Sequence, residues 1–471
     1  MLQRNLLVLV SLGAYAAVVD APIISVATPE IARSFPGVGL ETMAWVLDAY
    51  FVAFAAGLLT SGRLADHFGR PRFLLGGLLL FVLASIACAV TPSIGVLIAA
   101  RALQAIGGAT VIPAGQAILL AAYPPAERYK AIIALGTVVA LGSVTAPTIG
   151  GVLLEIASWQ WIFWLSAAIG FGAFVFGLRV VPRQPGDRTA PVPDPLGTVA
   201  QTLSAALIVF AILGVQRWGA DDVRVWGCAV IAVIALTLAI VRSRGSEAAS
   251  MNLELFQSRT LAWANAGSFL AGLALFGGSF ACVLFFSSAW GWSPLEIGLA
   301  FIPGSITSAI AGRRGPQLAG RFGPARLTLG CTLIGAAGCA WWAIGASETQ
   351  NYWLGFVPGQ LLYGFGIAGG LTALVALSVV SAPPDDFGSA SGINGALRQV
   401  GGAIGVAVVA AAFASQSLSL VERARIGWAM AVLALLAAAL CAWRLQLAMA
   451  SPPAMQPSAP AAAEAETAVS A

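Results

Sequence analysis

The chain consists of long apolar runs set apart by short segments that hold nearly all of its charge. Fourteen runs fall near residues 5–28, 42–62, 73–92, 93–121, 130–155, 160–182, 196–216, 224–243, 263–289, 293–312, 327–346, 352–382, 388–414 and 426–446. Each is about 20 residues or longer, the length that crosses a hydrocarbon core as a helix with every backbone polar group satisfied internally. The runs are continuous, which excludes the period-two alternation of an outer-membrane barrel. Charged residues make up 9% of the sequence, against about 25% in a soluble domain, so a soluble enzyme is excluded. The same apolarity excludes a disordered chain. The expected fold class is an all-α polytopic membrane protein of fourteen transmembrane helices.

A net charge of +4 invites a nucleic-acid partner, but 22 of the 24 basic residues lie between the runs or at their ends. With the amino terminus inside, 17 of them fall on the inner side: Arg4, Arg63, Arg70, Arg72, Arg128, Lys130, Arg179, Arg183, Arg188, Arg242, Arg244, Arg259, Arg313, Arg314, Arg321, Arg326 and Arg444. Five fall outside, at Arg33, Arg217, Arg224, Arg423 and Arg425. Arg101 and Arg398 lie within runs. This bias follows the positive-inside rule for an even number of spans with both termini cytoplasmic. The basic excess therefore reports topology, and no nucleic-acid partner is expected. The first run is too long for a secretory signal and reads as a retained span. The six cysteines lack paired metal-ligand spacing and read as small apolar residues, so no metal and no redox chemistry is expected.

An internal repeat organises the runs. Leu64–Arg72 agrees with Leu318–Arg326 at five of nine positions, at an offset of 254. At an offset of 259, Pro124-Pro125 matches Pro383-Pro384, and Arg101, Gln104 and Gly107 match Gln360, Tyr363 and Gly366. Two six-helix halves with two helices between them describe this pattern, in a 6 + 2 + 6 arrangement. The expected divisions are an N-terminal bundle over 1–182, a linker over 183–195, two inserted helices over 196–243, a cytoplasmic loop over 244–262, a C-terminal bundle over 263–446 and a disordered tail over 447–471. Repeats of this kind mark transporters whose site lies between the halves near the bilayer midplane.

Charged groups at that depth face the bundle interior and mark function by default. From their positions within the runs, Asp20, Asp48 and Arg101 lie roughly 9 to 12 Å below the outer boundary. With both carboxylates ionised the three carry a net charge of −1, which a proton or an organic cation relieves. Competition of proton and cation for one acidic site is then the expected basis of exchange. The plainer alternative is that Asp20 and Arg101 form a buried pair that only holds helices together. Asp48 stands equally as a substrate contact. Arg398 shares a helical face with Asn394, Gly401 and Gly405, and either lines the inner pathway or pairs with a helix end. Gln360, Tyr363 and Asn394 are candidate substrate-facing groups of the second half, whose counterpart of Arg101 is neutral. Gly136, Ala140, Ser143, Pro147 and Gly151 form a stripe that admits a close helix neighbour, with a bend at Pro147. In the loop after the second run, Gly62 and Gly69 permit a tight turn, and Asp66 accepts hydrogen bonds at a helix start or from basic neighbours.

These residues carry a resemblance that covers nearly the whole chain. Gly62–Arg70 resembles the loop signature between helices 2 and 3 of the major facilitator superfamily. Leu97–Gly107 resembles its helix 4 motif, and Gly142–Gly151 the helix 5 motif associated with antiporters. Asp20–Pro29, Trp45–Tyr50, Trp159–Trp164 and Gly388–Gly405 are similar to motifs of the fourteen-helix drug:proton antiporter family, the EmrB/QacA type. The chain departs from those motifs at Ala146, Ser25, Thr28 and Gln160. The resemblance implies a major facilitator fold in the cell (plasma or inner) membrane. It implies proton coupling through Asp20 and Arg101, a gate latch around Asp66 and Arg70, and an export-favouring motif at Pro147, Gly150 and Gly151. Trp45, Tyr50 and Gln104 join the substrate-facing candidates.

The expected function is proton-coupled multidrug efflux by alternating access. The expected partners are protons, a hydrophobic or cationic small molecule and the lipid bilayer, with no cofactor. Export of an endogenous lipid or a natural product shares every feature. Proton-coupled import is the remaining transport reading, and Pro147–Gly151 argues against it. An intramembrane enzyme lacks its acid-base or metal cluster, since the lone histidine, His67, sits in a loop. An ATP-driven pump lacks a phosphate-binding glycine loop.

Overall fold

The structure, a computed structural model, describes residues 2–38, 40–182, 194–219, 221–244, 255, 257–383, 386–415 and 417–450. Most of the expected linker over 183–195, most of the loop over 244–262 and the tail from residue 451 lie outside these residues. The described residues form fifteen α-helices: α1 (Leu2–Ser34), α2 (Leu40–Phe68), α3 (Arg70–Ala89), α4 (Ile94–Ala122), α5 (Pro125–Ile156), α6 (Gln160–Val180), α7 (Pro195–Trp218), α8 (Val223–Ser243), α9 (Arg259–Ala289), α10 (Pro294–Ala300), α11 (Ile302–Phe322), α12 (Pro324–Gly345), α13 (Val357–Val380), α14 (Phe387–Ala414) and α15 (Leu420–Ala450).

Among the described residues, thirteen stretches are helices long and apolar enough to cross a membrane. The short α10 and the longer α11 together make one of them, Leu295–Phe322. The fourteenth expected span is α5, a helix of 32 residues that is not among those thirteen; its Gly, Ser, Thr and Pro residues suit it to close packing. The last helix continues to Ala450, so residues 447–450 belong to α15 and not to the expected tail.

Local chemistry sets the ends. Ser93, Ser258 and Ser293 cap α4, α9 and α10 by accepting from backbone N–H groups. Gly69 and Gly323 adopt φ of 95° and 84°, a left-handed turn that glycine enters without a Cβ penalty. Each is followed by a proline in the first turn of the next helix, which needs no hydrogen bond there. The two turns stand at the repeat offset of 254, so the sequence match is also a structural one. Gly62 departs from the expectation. It lies inside α2, buried and far from any turn.

Packing repeats the same symmetry. The pairs α1–α5, α1–α6, α2–α4, α3–α4 and α3–α6 have counterparts in α9–α14, α9–α15, α11–α13, α12–α13 and α12–α15. The two sets meet along two seams, α2 against α14 and α5 against α10, α11 and α13. At the first, a Cβ placed on Gly62 would lie 2.4 Å from the carbonyl of Gly388. Next to it, Arg128 lies 5.2 Å over the ring of Phe387. At the second seam, Thr148 donates to the carbonyl of Gly298 at 2.6 Å. The helices α7 and α8 pack on one another, and α7 lies along both α2 and α14, closing the outside of the first seam.

Candidate functional site

The site begins with Asp20 on α1 and Arg101 on α4, which form an ion pair with both side chains fully buried. Such a pair loses most of its hydration and persists only where hydrogen bonds complete it. They do so here from three further helices as well as from α4 itself. The second oxygen of Asp20 accepts from Gln104 Nε2 at 2.9 Å and from Ser166 Oγ of α6 at 2.9 Å. Arg101 donates through Nε to the carbonyl of Val46 on α2 at 3.1 Å and through Nη1 to Gln104 Oε1 at 2.7 Å. Gln104 donates in turn to Ser85 of α3 at 2.9 Å. The guanidinium lies 4.3 Å from the ring centroid of Tyr50 and 5.7 Å from that of Phe163, a cation-π environment on both sides. Tyr50 is itself held by donating to the carbonyl of Ala17 at 2.6 Å. Arg101 Nη2 is buried without a partner.

The arrangement is a buried network of balanced charge joining α1, α2, α3, α4 and α6. A proton placed on Asp20 cancels the attraction and leaves Arg101 an uncompensated buried charge, a change that costs about 3–5 kcal/mol when one partner is removed outright.

Of the three charges expected at one depth, the structure brings two together. Asp48 is half-buried on α2. It lies two residues from both Val46 and Tyr50, which face Arg101, so on a helix it projects roughly 160° away from them. It shares its side of α2 with Trp45, which stacks on Phe210 of α7 at 5.3 Å and 30°. The shared three-charge pocket is thus corrected to a pair, with Asp48 and Trp45 on the face toward α7. Depth was readable from the sequence, and direction around the helix was not.

The second-half candidates lie inside their own bundle. Tyr363 is buried and donates to the carbonyls of Ala274 and Leu275 on α9, at 3.2 and 2.9 Å. Gln360 is buried with Nε2 lacking a partner. Asn394 donates to Asn265 Oδ1 and Ser268 Oγ on α9, each at 2.9 Å, and Ser378 of α13 donates to the same Asn265 oxygen at 2.8 Å. Asn394 Oδ1 has no partner. Arg398 is half-buried on α14 with its stem against Gly272 of α9. Pro147, Gly150 and Gly151 lie in the C-terminal part of α5, where Gly150 sits close to Ile23 of α1. Asp66 lies within α2 and Arg70 opens α3. Ser85, Ser166, Asn265, Ser268 and Ser378 were not singled out by sequence reasoning. A lone hydroxyl or amide in an apolar run carries no pattern, and only the buried carboxylate's need for donors could have pointed to such partners.

The sequence profile described as Major Facilitator Superfamily matches residues 8–405. The chain belongs to the Major Facilitator Superfamily. As a member of the Major Facilitator Superfamily it is a multi-pass membrane transporter and not an enzyme. It is 31% identical over 419 residues to the multidrug resistance protein Stp of Mycobacterium tuberculosis, covering 88% of this chain and 76% of that protein. It is 30% identical over 438 residues to the methylenomycin A resistance protein of Streptomyces coelicolor, covering 92% of this chain and 90% of the relative. The tetracenomycin C resistance and export protein of Streptomyces glaucescens is 27% identical over 415 residues, 87% of this chain and 76% of that protein. Among solved structures, the human organic anion transporter MFSD10 superposes with a TM-score of 0.66 at 15% identity over 93% of this chain and 99% of that one, a likeness of fold alone. These sequence relatives of this Major Facilitator Superfamily member are resistance and export proteins.

Proposed function

We propose that the protein is a proton-coupled drug efflux antiporter of the cell membrane, with fourteen spans and both termini in the cytoplasm, exporting hydrophobic small molecules by alternating access. The observation that carries this reading is the buried Asp20–Arg101 pair, completed by Ser166, Gln104 and Val46 and faced by Tyr50. A pair that only fastened helices could be replaced by apolar side chains at little cost; one tied to five helices is suited to transmit a proton's arrival to the bundle. Protonation of Asp20 frees Arg101, and the helices that contact Arg101 repack. The tight α2–α14 ends at Gly62 and Gly388, beside Arg128 and Phe387, form the cytoplasmic gate under this topology, with Asp66 one turn further along α2 and Arg70 opening α3.

Cargo charge enters through Asp48, because the charges of Asp20 and Arg101 cancel. Asp48, with Trp45 beside it as an aromatic contact, is the candidate contact for a cationic cargo. A second reading, self-protective export of a natural product, is favoured by the relatives named for tetracenomycin C and methylenomycin A resistance.

The test is uptake of lipophilic cations and neutral analogues into inverted vesicles under an imposed pH gradient. One proton exchanged for one monovalent cation is driven by about 1.36 kcal/mol per pH unit. A second proton adds about 2.3 kcal/mol per 100 mV of membrane potential. Asp20→Asn should abolish proton-driven uptake of every substrate. Asp48→Asn should lower uptake of cations selectively.

A further inference from the structure

We propose that the outward side of α11 binds an anionic phospholipid, with Arg313, Arg314 and Arg321 on its phosphate and the isoleucines before them along an acyl chain. The buried residues Gly304, Ser308, Ala311 and Gly315 define the inward side of this helix. At about 100° per residue, the opposite side carries Ile302, Ile306 and Ile310, then Arg313, Arg314, Gln317 and Arg321, all within an arc of about 120°. All seven are exposed. The face passes from isoleucine to arginine within one turn. No charged residue lies between Ile297 and Gly312, a helical stretch of roughly 24 Å, so Arg313 and Arg314 emerge where the hydrocarbon ends. A phospholipid presents the same order, an acyl chain and then a phosphate.

The positive-inside rule accounts for basic residues at this end of α11, and not for three exposed guanidinium groups on one arc without a counter-charge. Among the described residues no carboxylate pairs with any of the three. Glu127, in the first turn of the adjacent α5, is not such a partner. Arg321 lies 5.2 Å over the ring of its own neighbour, Phe322. Guanidinium forks match the paired oxygens of a phosphate. Each basic side chain at a membrane surface favours an anionic headgroup over a zwitterionic one by roughly fivefold. The inward side of α11 packs on α5 at the second seam, Gly312 against Thr137 and Gly315 against Ile133. A lipid held on the outward side therefore braces α11 from behind.

The inference goes beyond the export reading and rests on it only for placing the lipid in the inner leaflet. Its test is binding without transport. Full-length protein in a neutral detergent is offered equal amounts of phosphatidylglycerol and phosphatidylcholine with the same acyl chains, and bound lipid is counted by native mass spectrometry. The wild type should retain phosphatidylglycerol over phosphatidylcholine by about tenfold or more. The combined Arg313→Gln, Arg314→Gln and Arg321→Gln variant should retain the two alike. Replacement of the same three by Lys should keep most of the preference. Arg179→Gln, which removes one exposed charge from α6, should keep all of it. Inorganic phosphate and glycerol phosphate in large excess should leave bound phosphatidylglycerol in place, because neither has a chain for the isoleucines. Equal retention of both lipids by the wild type overturns the proposal. So does a preference that survives the combined Gln variant, or one that Arg179→Gln also erases. Displacement of the lipid by inorganic phosphate overturns it as well, by making this a free-phosphate site. Should the combined variant fail to fold, Arg313→Gln with Arg314→Gln, and Arg321→Gln alone, should each lower the preference, and an unchanged preference in both overturns the proposal. A chain that transports nothing can pass this test, and one that exports can fail it, so the two readings fail separately.

Discussion

Gly62 on α2 and Gly388 on α14 meet backbone to backbone at one end of the seam between the halves, so closely that a methyl group on Gly62 would lie 2.4 Å from the Gly388 carbonyl. No side chain fits in that space. Gly62→Val should force the two helices apart, at a cost of about 1–3 kcal/mol typical of overpacking. The expected result is a protein that folds yet admits a thiol reagent from the cytoplasmic side at a cysteine placed at Leu58, which packs on Gly392 and Gly395 just beyond. Protection of that cysteine equal to the parent's would show that the seam does not gate.

The polar cluster of Asn265, Ser268, Ser378 and Asn394 ties α9, α13 and α14. Asn394→Ala removes two donated hydrogen bonds and leaves buried acceptors on α9 without their partner. The expected loss is about 1–3 kcal/mol, visible as a lowered thermal midpoint of the purified protein. If transport falls sharply while the midpoint is unchanged, Asn394 has a substrate role that its burial argues against.

The inserted pair carries its own acid-sensitive clasp. Asp194, at the start of α7, pairs with Arg242 at the end of α8 and accepts a 2.9 Å hydrogen bond from its Nη2. The hydrogen bond from Arg242, with the backbone N–H of Gly197, holds the Asp194 carboxyl below its ordinary value. A carboxyl lowered in the folded state stabilises that state above its unfolded pKa, and the contribution disappears as pH falls through the lowered value. Hydrogen exchange at the α7 and α8 ends should therefore quicken on acidification below the usual carboxylate range. Arg242→Gln should show the quick exchange already at neutral pH. An unchanged exchange rate in Arg242→Gln would remove the clasp from the account.

Much of this was legible in the chain itself. Thirteen of the expected spans are apolar helices because length and hydropathy alone decide what a bilayer admits. The repeat reappears in the twin turns at Gly69 and Gly323 and in matched helix pairs. Asp20 and Arg101 were identifiable because an intramembrane charge needs a partner at its own depth. What failed was azimuth. Asp48 shares their depth but leaves α2 from the other side, and Gln360, Tyr363 and Asn394 turn into their own bundle. Position along a helix fixes depth to a few ångströms, while the face it presents depends on neighbours that no single sequence reveals. Gly62 reads as a turn glycine beside Gly69, yet its role is to let another helix approach. The hydroxyls of Ser85 and Ser166, essential to the carboxylate network, look like any small residue in an apolar run.

The most direct measurement is proton-driven uptake by wild type and Asp20→Asn in inverted vesicles, with binding of the same compound measured in parallel. The account predicts that Asp20→Asn binds its substrate but accumulates none in response to a pH gradient. Accumulation at the wild-type rate in that variant would show that the Asp20–Arg101 pair is a structural fastening and that the driving proton enters elsewhere.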